Sequence, residues 1–287
     1  MSATTPATSA SATPGSATPA SATRRLLRAY PTLLRVGLSS AVAYRAEFLV
    51  WMLATTMPLV MLAVMSAMAR EAPVGHFDQK GFVAYYLVTL IVRQMTGAWV
   101  AWEMVQEIKE GTLGLRLLRP IHPLASYSAE SLAALPMRAI IALPITIVVL
   151  VLSSGKDLTQ DPLNVLIFVV ALAGAWLLNF AVSAIIGTLG LYLESSLQVW
   201  ELWMGCFMLL SGYLIPLSLF PSWLERVARL LPFAYLQAFP VETLTGLRDR
   251  HAALAGLGAQ LAWAAAAWLV LAILWKRGVK RFAAYGG

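Results

Sequence analysis

The chain has 287 residues, of which 59% are hydrophobic and only 12% are charged, and its mean hydropathy is +0.73. Soluble domains carry about 25% charged residues, so this composition excludes a soluble globular protein and predicts an integral membrane protein. The formal net charge of +7 suits the anionic headgroups of a lipid bilayer, and nothing in the sequence indicates nucleic-acid binding.

The first 23 residues repeat Ser, Ala, Thr and Pro without bulky apolar side chains. Such a segment buries too little apolar surface to offset the entropy of ordering, so we predict a disordered tail over residues 1–23. The tail lacks the apolar core of a secretory signal. An acid-poor organelle transit peptide and a disordered bacterial extension both fit it; we favour the extension and assign it no role.

Residues 24–45 predict an amphipathic helix in the cytoplasmic headgroup region. At about 100° per residue the basic and apolar side chains fall on opposite sides, with Arg24, Arg28 and Arg35 on one and Leu26, Leu33 and Leu34 on the other. The alternative is an ordinary basic flank of the first span. Pro31 favours that alternative, because a proline bends or breaks a helix interior.

Six apolar runs approach or exceed the roughly 20 residues that a transmembrane helix needs. They cover residues 48–69, 82–102, 139–155, 162–193, 202–224 and 252–275. The runs are continuous rather than alternating, which predicts helices rather than the strands of a β-barrel. We therefore predict an all-α integral membrane protein with six transmembrane helices.

An even number of spans puts both termini on one side of the membrane. The segments that would share that side, 24–45, 103–138 and 276–281, hold thirteen Lys and Arg residues, whereas the opposite set holds seven. Because positive residues accumulate in cytoplasmic loops, both termini are predicted to be cytoplasmic.

The stretch KEGTLGLRLLRPIHP, residues 109–123, lies in the cytoplasmic loop between the second and third runs. Thr112 is suited to cap a short helix and Pro120 to end it. Within that helix Leu113 and Leu117 share one face, and Arg116 and Arg119 share another. This pattern fits a helix that docks on a cytoplasmic partner, and it fits a helix that lies on lipid equally well.

Four polar residues in or beside the apolar runs are candidates for a functional role: Arg93, Asn164, Asn179 and Glu201. Arg93 in the second run costs roughly 3 kcal/mol on insertion scales unless it faces protein or water. We predict that it pairs with Glu201 and helps to line a polar path. A structural ion pair, or a side chain that reaches the membrane surface, are the alternatives.

Between the fifth and sixth runs, prolines divide residues 216–250 into apolar pieces too short to cross a bilayer. We predict short re-entrant or interfacial helices on the outer side; the alternative is a plain extracellular loop.

The sequence has no motif that indicates a catalytic or metal site. It lacks the phosphate loop GxxxxGK[ST] and the nucleophile motif GxSxG, its three histidines are scattered, and its one cysteine, Cys206, lies in a predicted span. We therefore predict that the chain is not an enzyme and binds no metal or cofactor.

Three segments resemble ABC-2 type exporter permeases. They are IKEGTLGLRLLRPIHPL (108–124), LLSGYLIPLSLFPSWLERVARLLPFAYL (209–236) and the basic exit KRGVKRF (276–282). Their order, together with the six runs, extends the likeness over residues 24–287. The resemblance implies a permease domain with an elbow helix at 24–45, a coupling loop at 106–130 and a re-entrant segment at 216–250.

The resemblance also implies partners: a second permease copy or an unlike permease, and separate ATP-binding subunits that hold ATP and Mg in the inner (cell) membrane complex. Those subunits would contact a coupling helix through Thr112, Leu113, Arg116, Leu117 and Arg119. The implied function is the membrane-spanning subunit of an ATP-driven exporter of unnamed substrate. The alternative function is a non-transporting anchor or scaffold for a cytoplasmic complex.

Overall fold

A computed structural model describes residues 19–43, 57–152 and 158–284 of the chain. Within these ranges every regular element is helical, apart from one isolated bridge between Val74 and Phe77. The prediction of an all-α protein is confirmed for the described part of the chain.

Thirteen α-helices and one 3-10 turn occupy the described ranges. In chain order they are α1 (Pro19–Ala43), α2 (Met57–Met68), α3 (Gln79–Thr96), α4 (Val100–Lys109), α5 (Leu113–Leu117), α6 (Pro123–Ala133), α7 (Leu135–Leu152), α8 (Pro162–Leu189), α9 (Ser196–Leu210), the 3-10 turn (Leu217–Leu219), α10 (Ser222–Leu230), α11 (Pro232–Leu236), α12 (Ala238–Leu244) and α13 (Arg250–Ala284).

Helix α8 lies at the centre of the molecule and packs against α13, α4 and α12. Small residues allow this close packing. A Cβ atom added at Gly187 would lie 3.0 Å from the Cβ of Met104 on α4, and one at Gly174 would lie 2.5 Å from Oε1 of Gln260 on α13. The remaining helices surround α8: α2 and α7 pack against α3, and α1 packs against α6.

Helix α1 begins at Pro19, so the prediction of disorder is wrong for residues 19–23, and residues 1–18 lie outside the described ranges. A proline is tolerated in a first helical turn, where its missing N–H leaves no bond unmade. The helix also continues through Pro31. Where side chains are described, Arg28 and Arg35 are exposed while Leu33 and Leu34 are partly buried.

Two predicted spans differ from the helices that form. The run 82–102 is divided, because α3 ends at Thr96 and α4 begins at Val100. The run 202–224 is replaced by α9, which starts earlier and stops at Leu210, before Gly212 adopts a φ of +82°. Its 15 residues span about 22 Å, less than the roughly 30 Å of a bilayer's hydrocarbon core.

Among the described residues, two helices are long and apolar enough to cross a bilayer unaided: α8 and residues 250–282 of α13. Helices α2 and α9 are apolar but shorter. Residues 48–56 of the first predicted span and 153–155 of the third lie outside the described ranges. The count of six spans therefore stays a prediction.

Candidate functional site

Helix α5 occupies the predicted docking segment and turns one side into the protein. Leu113 has no exposed surface and belongs to a core cluster with Met104 of α4 and Tyr127 of α6; Leu117 packs against that cluster. Thr112 precedes the helix but makes no side-chain cap; its hydroxyl donates instead to the carbonyl of Glu107, at 3.4 Å.

Arg116 holds α5 in this orientation. Its Nη2 lies 2.5 Å from Oε1 of Glu107 on α4, and its Nη1 lies 2.9 Å from Oε1 of Glu130 on α6. The guanidinium lies 4.0 Å from the ring centroid of Tyr127, whose hydroxyl donates to Oε2 of Glu107 at 2.6 Å. These four side chains, Glu107, Arg116, Tyr127 and Glu130, form what we call the inner cluster.

Contacts within the inner cluster shift the pKa values of Arg116 and Tyr127. Burial alone would lower the pKa of Arg116, but its hydrogen bonds to Glu107 and the charge of Glu130 outweigh burial and raise that pKa. Burial raises the pKa of the Tyr127 phenol, and the hydrogen bond to Glu107 raises it further. Arg116 therefore stays charged and Tyr127 stays a donor at physiological pH.

The residues predicted to contact a partner lie on two different sides of the α5 segment. Leu113, Arg116 and Leu117 lie within about 100° of one another around the helix and pack on the chain itself; Leu113 is buried, and Arg116 and Leu117 are partly buried. Arg116 forms ion pairs with two carboxylates on this inner side, whereas Arg119, three residues later, is exposed.

The opposite side of α5 is free in the single chain. Leu115 is 66% exposed and Leu118 is 82% exposed, and Thr112 and Arg119 are exposed beside them. Contacts of Leu113 and Arg116 with α4 and α6 hold the other side of α5, so the exposed leucines provide an apolar contact surface. Of the five residues predicted to contact a partner, Thr112 and Arg119 lie on this exposed side; Leu115 and Leu118, which also lie there, were not among the five.

A second distinctive feature is the break between α3 and α4. Three consecutive carbonyls at the break receive side-chain donors from other helices: Thr96 O from Asn179 at 2.8 Å, Ala98 O from Ser183 at 3.5 Å, and Gly97 O from Arg138. Irregular backbone at membrane depth requires such partners because lipid supplies none. Asn179 and Ser183 of α8 therefore stabilise the irregular backbone between α3 and α4, which is a structural role.

Arg93 lies in the last turn of α3, close to the break. Its guanidinium carbon is 5.0 Å from the ring centroid of Phe207 and 5.9 Å from that of Tyr213. Among the described residues no ion pair joins Arg93 to Glu201, which is exposed on α9. The structure thus surrounds Arg93 with aromatic rings and does not bring it together with Glu201.

A family model described as an ABC-2 family transporter protein matches residues 41–286. The chain belongs to this family. No curated protein gives a significant match to it. The family is a transmembrane transport component of ABC transporters and is not itself catalytic, so the resemblance noted in the sequence is confirmed.

This ABC-2 permease contains a second charged cluster, which the sequence analysis missed. Glu242 on α12 is 3% exposed and accepts from Nη1 and Nη2 of Arg229 at 2.8 and 3.1 Å, and from Nε of Arg248 at 2.8 Å. Nε of Arg229 also donates to Glu225 at 2.9 Å. We call Glu225, Arg229, Glu242 and Arg248 the outer cluster.

The outer cluster joins α10 to α12 within the segment predicted to be re-entrant. Burial would lower the pKa of Arg229, but its hydrogen bonds to Glu242 outweigh burial and raise it. One sequence signal existed, since Glu225 and Arg229 are four residues apart on one helix. The pairing with Glu242 could not be predicted from the sequence, because two prolines, Pro232 and Pro240, and a short helix lie between Arg229 and Glu242.

Proposed function

We propose that this permease is the membrane-spanning subunit of an ATP-driven exporter, with six membrane-crossing segments and cytoplasmic termini in the cell inner membrane. The family membership supports a transport role, and the excess of basic residues in 24–45, 103–138 and 276–281 supports the orientation. In this proposal the spans are built from α2, α3 with α4, α7, α8, α9 and α13.

The observation that carries the proposal is the anchored helix α5. Arg116 and Leu113 fasten its inner side to α4 and α6, while Leu115 and Leu118 remain exposed on the outer side. We propose that separate ATP-binding subunits, which would hold ATP and Mg, dock on Leu115, Leu118 and Arg119. Because Arg116 ties α5 to two helices, a displacement of α5 would pass directly to α4 and α6.

In the same proposal α1 is the elbow helix on the cytoplasmic surface, and α10, α11 and α12 are the re-entrant helices on the outer side. The exposed arginines of α1 suit anionic headgroups, and its packing on α6 would place it beside the coupling segment.

A second permease, identical or related, completes the proposed assembly. Helix α9 is apolar yet exposes Leu202, Leu209 and the acidic Glu201. A carboxylate on an apolar helix is costly against lipid, so a protein neighbour or a water-filled path suits Glu201 better. We propose that Glu201 and Arg93 belong to the substrate path, as separate contacts rather than as an ion pair.

The docking proposal is tested by Leu115→Asp combined with Leu118→Asp. The permease is expressed in its own host cell, and copurification of an ATP-binding subunit and ATP hydrolysis by the purified complex are measured. Both leucines are exposed, so we expect normal insertion and folding, loss of the ATP-binding subunit and loss of ATP hydrolysis, because two charges would be buried in an apolar contact.

A matched control is Leu230→Asp on α10, where an equally exposed leucine, 74% exposed, lies on the proposed outer side. This variant is expected to retain the ATP-binding subunit. An intact complex from the α5 double variant would exclude α5 as the docking site. A wild-type complex that forms but hydrolyses no ATP would favour a scaffold over an exporter.

A further inference from the structure

A cavity of 510 Å³ lies between the C-terminal half of α13 and the start of α6. Trp268, Leu271, Ala272 and Trp275 line it from α13, at the i, i+3, i+4 and i+7 positions of a single helical face. Its volume is that of a typical small-molecule site, for which 300–1,000 Å³ is the usual range. The cavity belongs neither to the α5 surface nor to the helix break.

The cavity is an elongated groove with one cationic end. Its α13 residues run from Trp268 to Val279, about 16 Å along the helix, with Lys276 near the C-terminal end. Beyond Lys276 the exposed helix carries Arg277 and Lys280. No carboxylate is among the residues that line the cavity, so its charge complement is an anion.

His122 adds a hydrogen-bond donor at the same end. Its Nδ1 accepts the backbone N–H of Leu124 at 3.2 Å, so a neutral imidazole carries its proton on Nε2. Burial lowers the pKa of His122, which favours that neutral form. The centre of its ring lies 5.7 Å from that of Trp275, the residue before Lys276, which places the imidazole near the cationic end of the groove.

The surroundings of the groove indicate which class of ligand it binds. The neighbouring residues Leu269 and Ile273 of α13 are exposed, as expected for a helix that faces acyl chains. In the orientation of the proposed function, Lys276 lies at the cytoplasmic surface, where anionic lipids concentrate. Tryptophan at this level and a basic pocket between helices are features of anionic lipid sites.

We infer that this groove binds one anionic phospholipid of the cytoplasmic leaflet. An acyl chain lies along Trp268, Ala272 and Trp275, and the headgroup phosphate contacts Lys276 Nζ and His122 Nε2. The inference rests on the orientation given under the proposed function, but it requires neither ATP nor a transported substrate. His122 is four residues after Leu118, so the bound lipid lies beside the segment that carries α5.

The experiment is a native mass-spectrometric titration of the purified full-length chain. Phosphatidylglycerol and phosphatidylcholine with identical acyl chains are compared. The wild-type chain is expected to bind one phosphatidylglycerol more tightly than phosphatidylcholine. Lys276→Gln is expected to weaken phosphatidylglycerol binding about five-fold, the effect of one basic residue near an anionic headgroup, and to leave phosphatidylcholine binding unchanged.

Two further variants locate the site. Lys280→Gln removes the same charge from the same helix outside the cavity, and it is expected to bind as the wild type does. Ala272→Trp fills the groove from an exposed position and is expected to abolish the tight site for both lipids, while the thermal midpoint stays unchanged.

Equal losses in Lys276→Gln and Lys280→Gln would overturn the inference, since they indicate diffuse surface charge. Unchanged binding in Ala272→Trp would overturn it as well, as would full competition by millimolar inorganic phosphate, which indicates an anion site without an acyl chain. The titration contains no ATP-binding subunit, so its result does not depend on the docking test at α5. A negative titration would likewise leave the docking proposal standing.

Discussion

The inner and outer clusters use the same chemistry in different surroundings. In the outer cluster the side chain of Glu242 is 4% exposed and receives two guanidinium groups. In the inner cluster the side chains of Glu107 and Glu130, which share Arg116, are 21% and 35% exposed. In the outer cluster the shared carboxylate of Glu242 is the enclosed member, and its arginine partners are partly exposed. In the inner cluster the shared guanidinium of Arg116, 12% exposed, is the enclosed member, and its carboxylate partners are partly open to water.

The difference shows how ion pairs serve structure and motion differently. An enclosed carboxylate that loses its partner stays desolvated, so the outer cluster acts as a lock on α10 and α12. A half-exposed carboxylate is resolvated when its partner leaves, so the inner cluster resists rearrangement less. Helix α5, which the inner cluster anchors, is also the helix that exposes two leucines to a partner.

The largest expected effect comes from Glu242→Gln. The amide keeps the shape of the side chain but leaves Arg229 and Arg248 with an uncharged acceptor in a buried place. Breaking such a pair costs about 3 to 5 kcal/mol, which we expect to appear as a large fall in the thermal midpoint of the purified permease.

Glu225→Gln is the control for this prediction, because it removes only the partly exposed i,i+4 partner of Arg229. Its expected cost is about 0.5 kcal/mol. Similar midpoints for the two variants would contradict the description of Glu242 as the centre of an enclosed lock.

A smaller effect is expected from Arg116→Met, which keeps an apolar stem and removes the charge from the inner cluster. Glu107 and Glu130 regain water, so we expect a stability loss of about 2 kcal/mol together with faster amide hydrogen exchange over residues 109–121. Arg119→Met changes an exposed arginine of the same segment and should leave exchange unaltered. Unchanged exchange in Arg116→Met would mean that the leucines alone hold α5.

The smallest effect is expected from Tyr127→Phe. This variant keeps the ring beneath Arg116 and removes only the donor to Glu107, at a cost of about 1 kcal/mol. Tyr30→Phe removes a hydroxyl that lies 3.1 Å from the neutral hydroxyl of Ser128. Its loss of stability should be smaller than that of Tyr127→Phe. A double-mutant cycle between Tyr127→Phe and Glu107→Gln should show coupling, and strict additivity would argue against the hydrogen bond.

Much of the architecture was readable from particular stretches of sequence. The run 162–193 predicted α8, whose end at Leu189 differs by four residues, and the basic and apolar sides of residues 24–45 predicted the amphipathic helix α1. Glycine and proline after residue 210 predicted the division of the outer segment into short helices. Pro31 was the least reliable signal, because it lies inside α1 and does not end the helix.

The site was predictable in position but not in orientation. Periodicity places Leu113 and Leu117 on one face of α5, and that pairing is correct. It does not say whether the face meets a partner or the chain itself. That choice depends on Glu107 and Glu130, nine and fourteen residues away from Arg116, and on Tyr127 beneath the guanidinium.

Composition and apolar length alone determined that this protein is a helical membrane protein, because hydrocarbon admits few backbone solutions and needs long apolar runs. Tertiary structure decided where the second run breaks and which residues of α5 stay free. Asn179 reaches the Thr96 carbonyl across 83 residues, and Arg138 reaches that of Gly97 across 41. Such donors compensate a broken helix only when folding brings them into hydrogen-bonding distance, and no local pattern of residues encodes that distance.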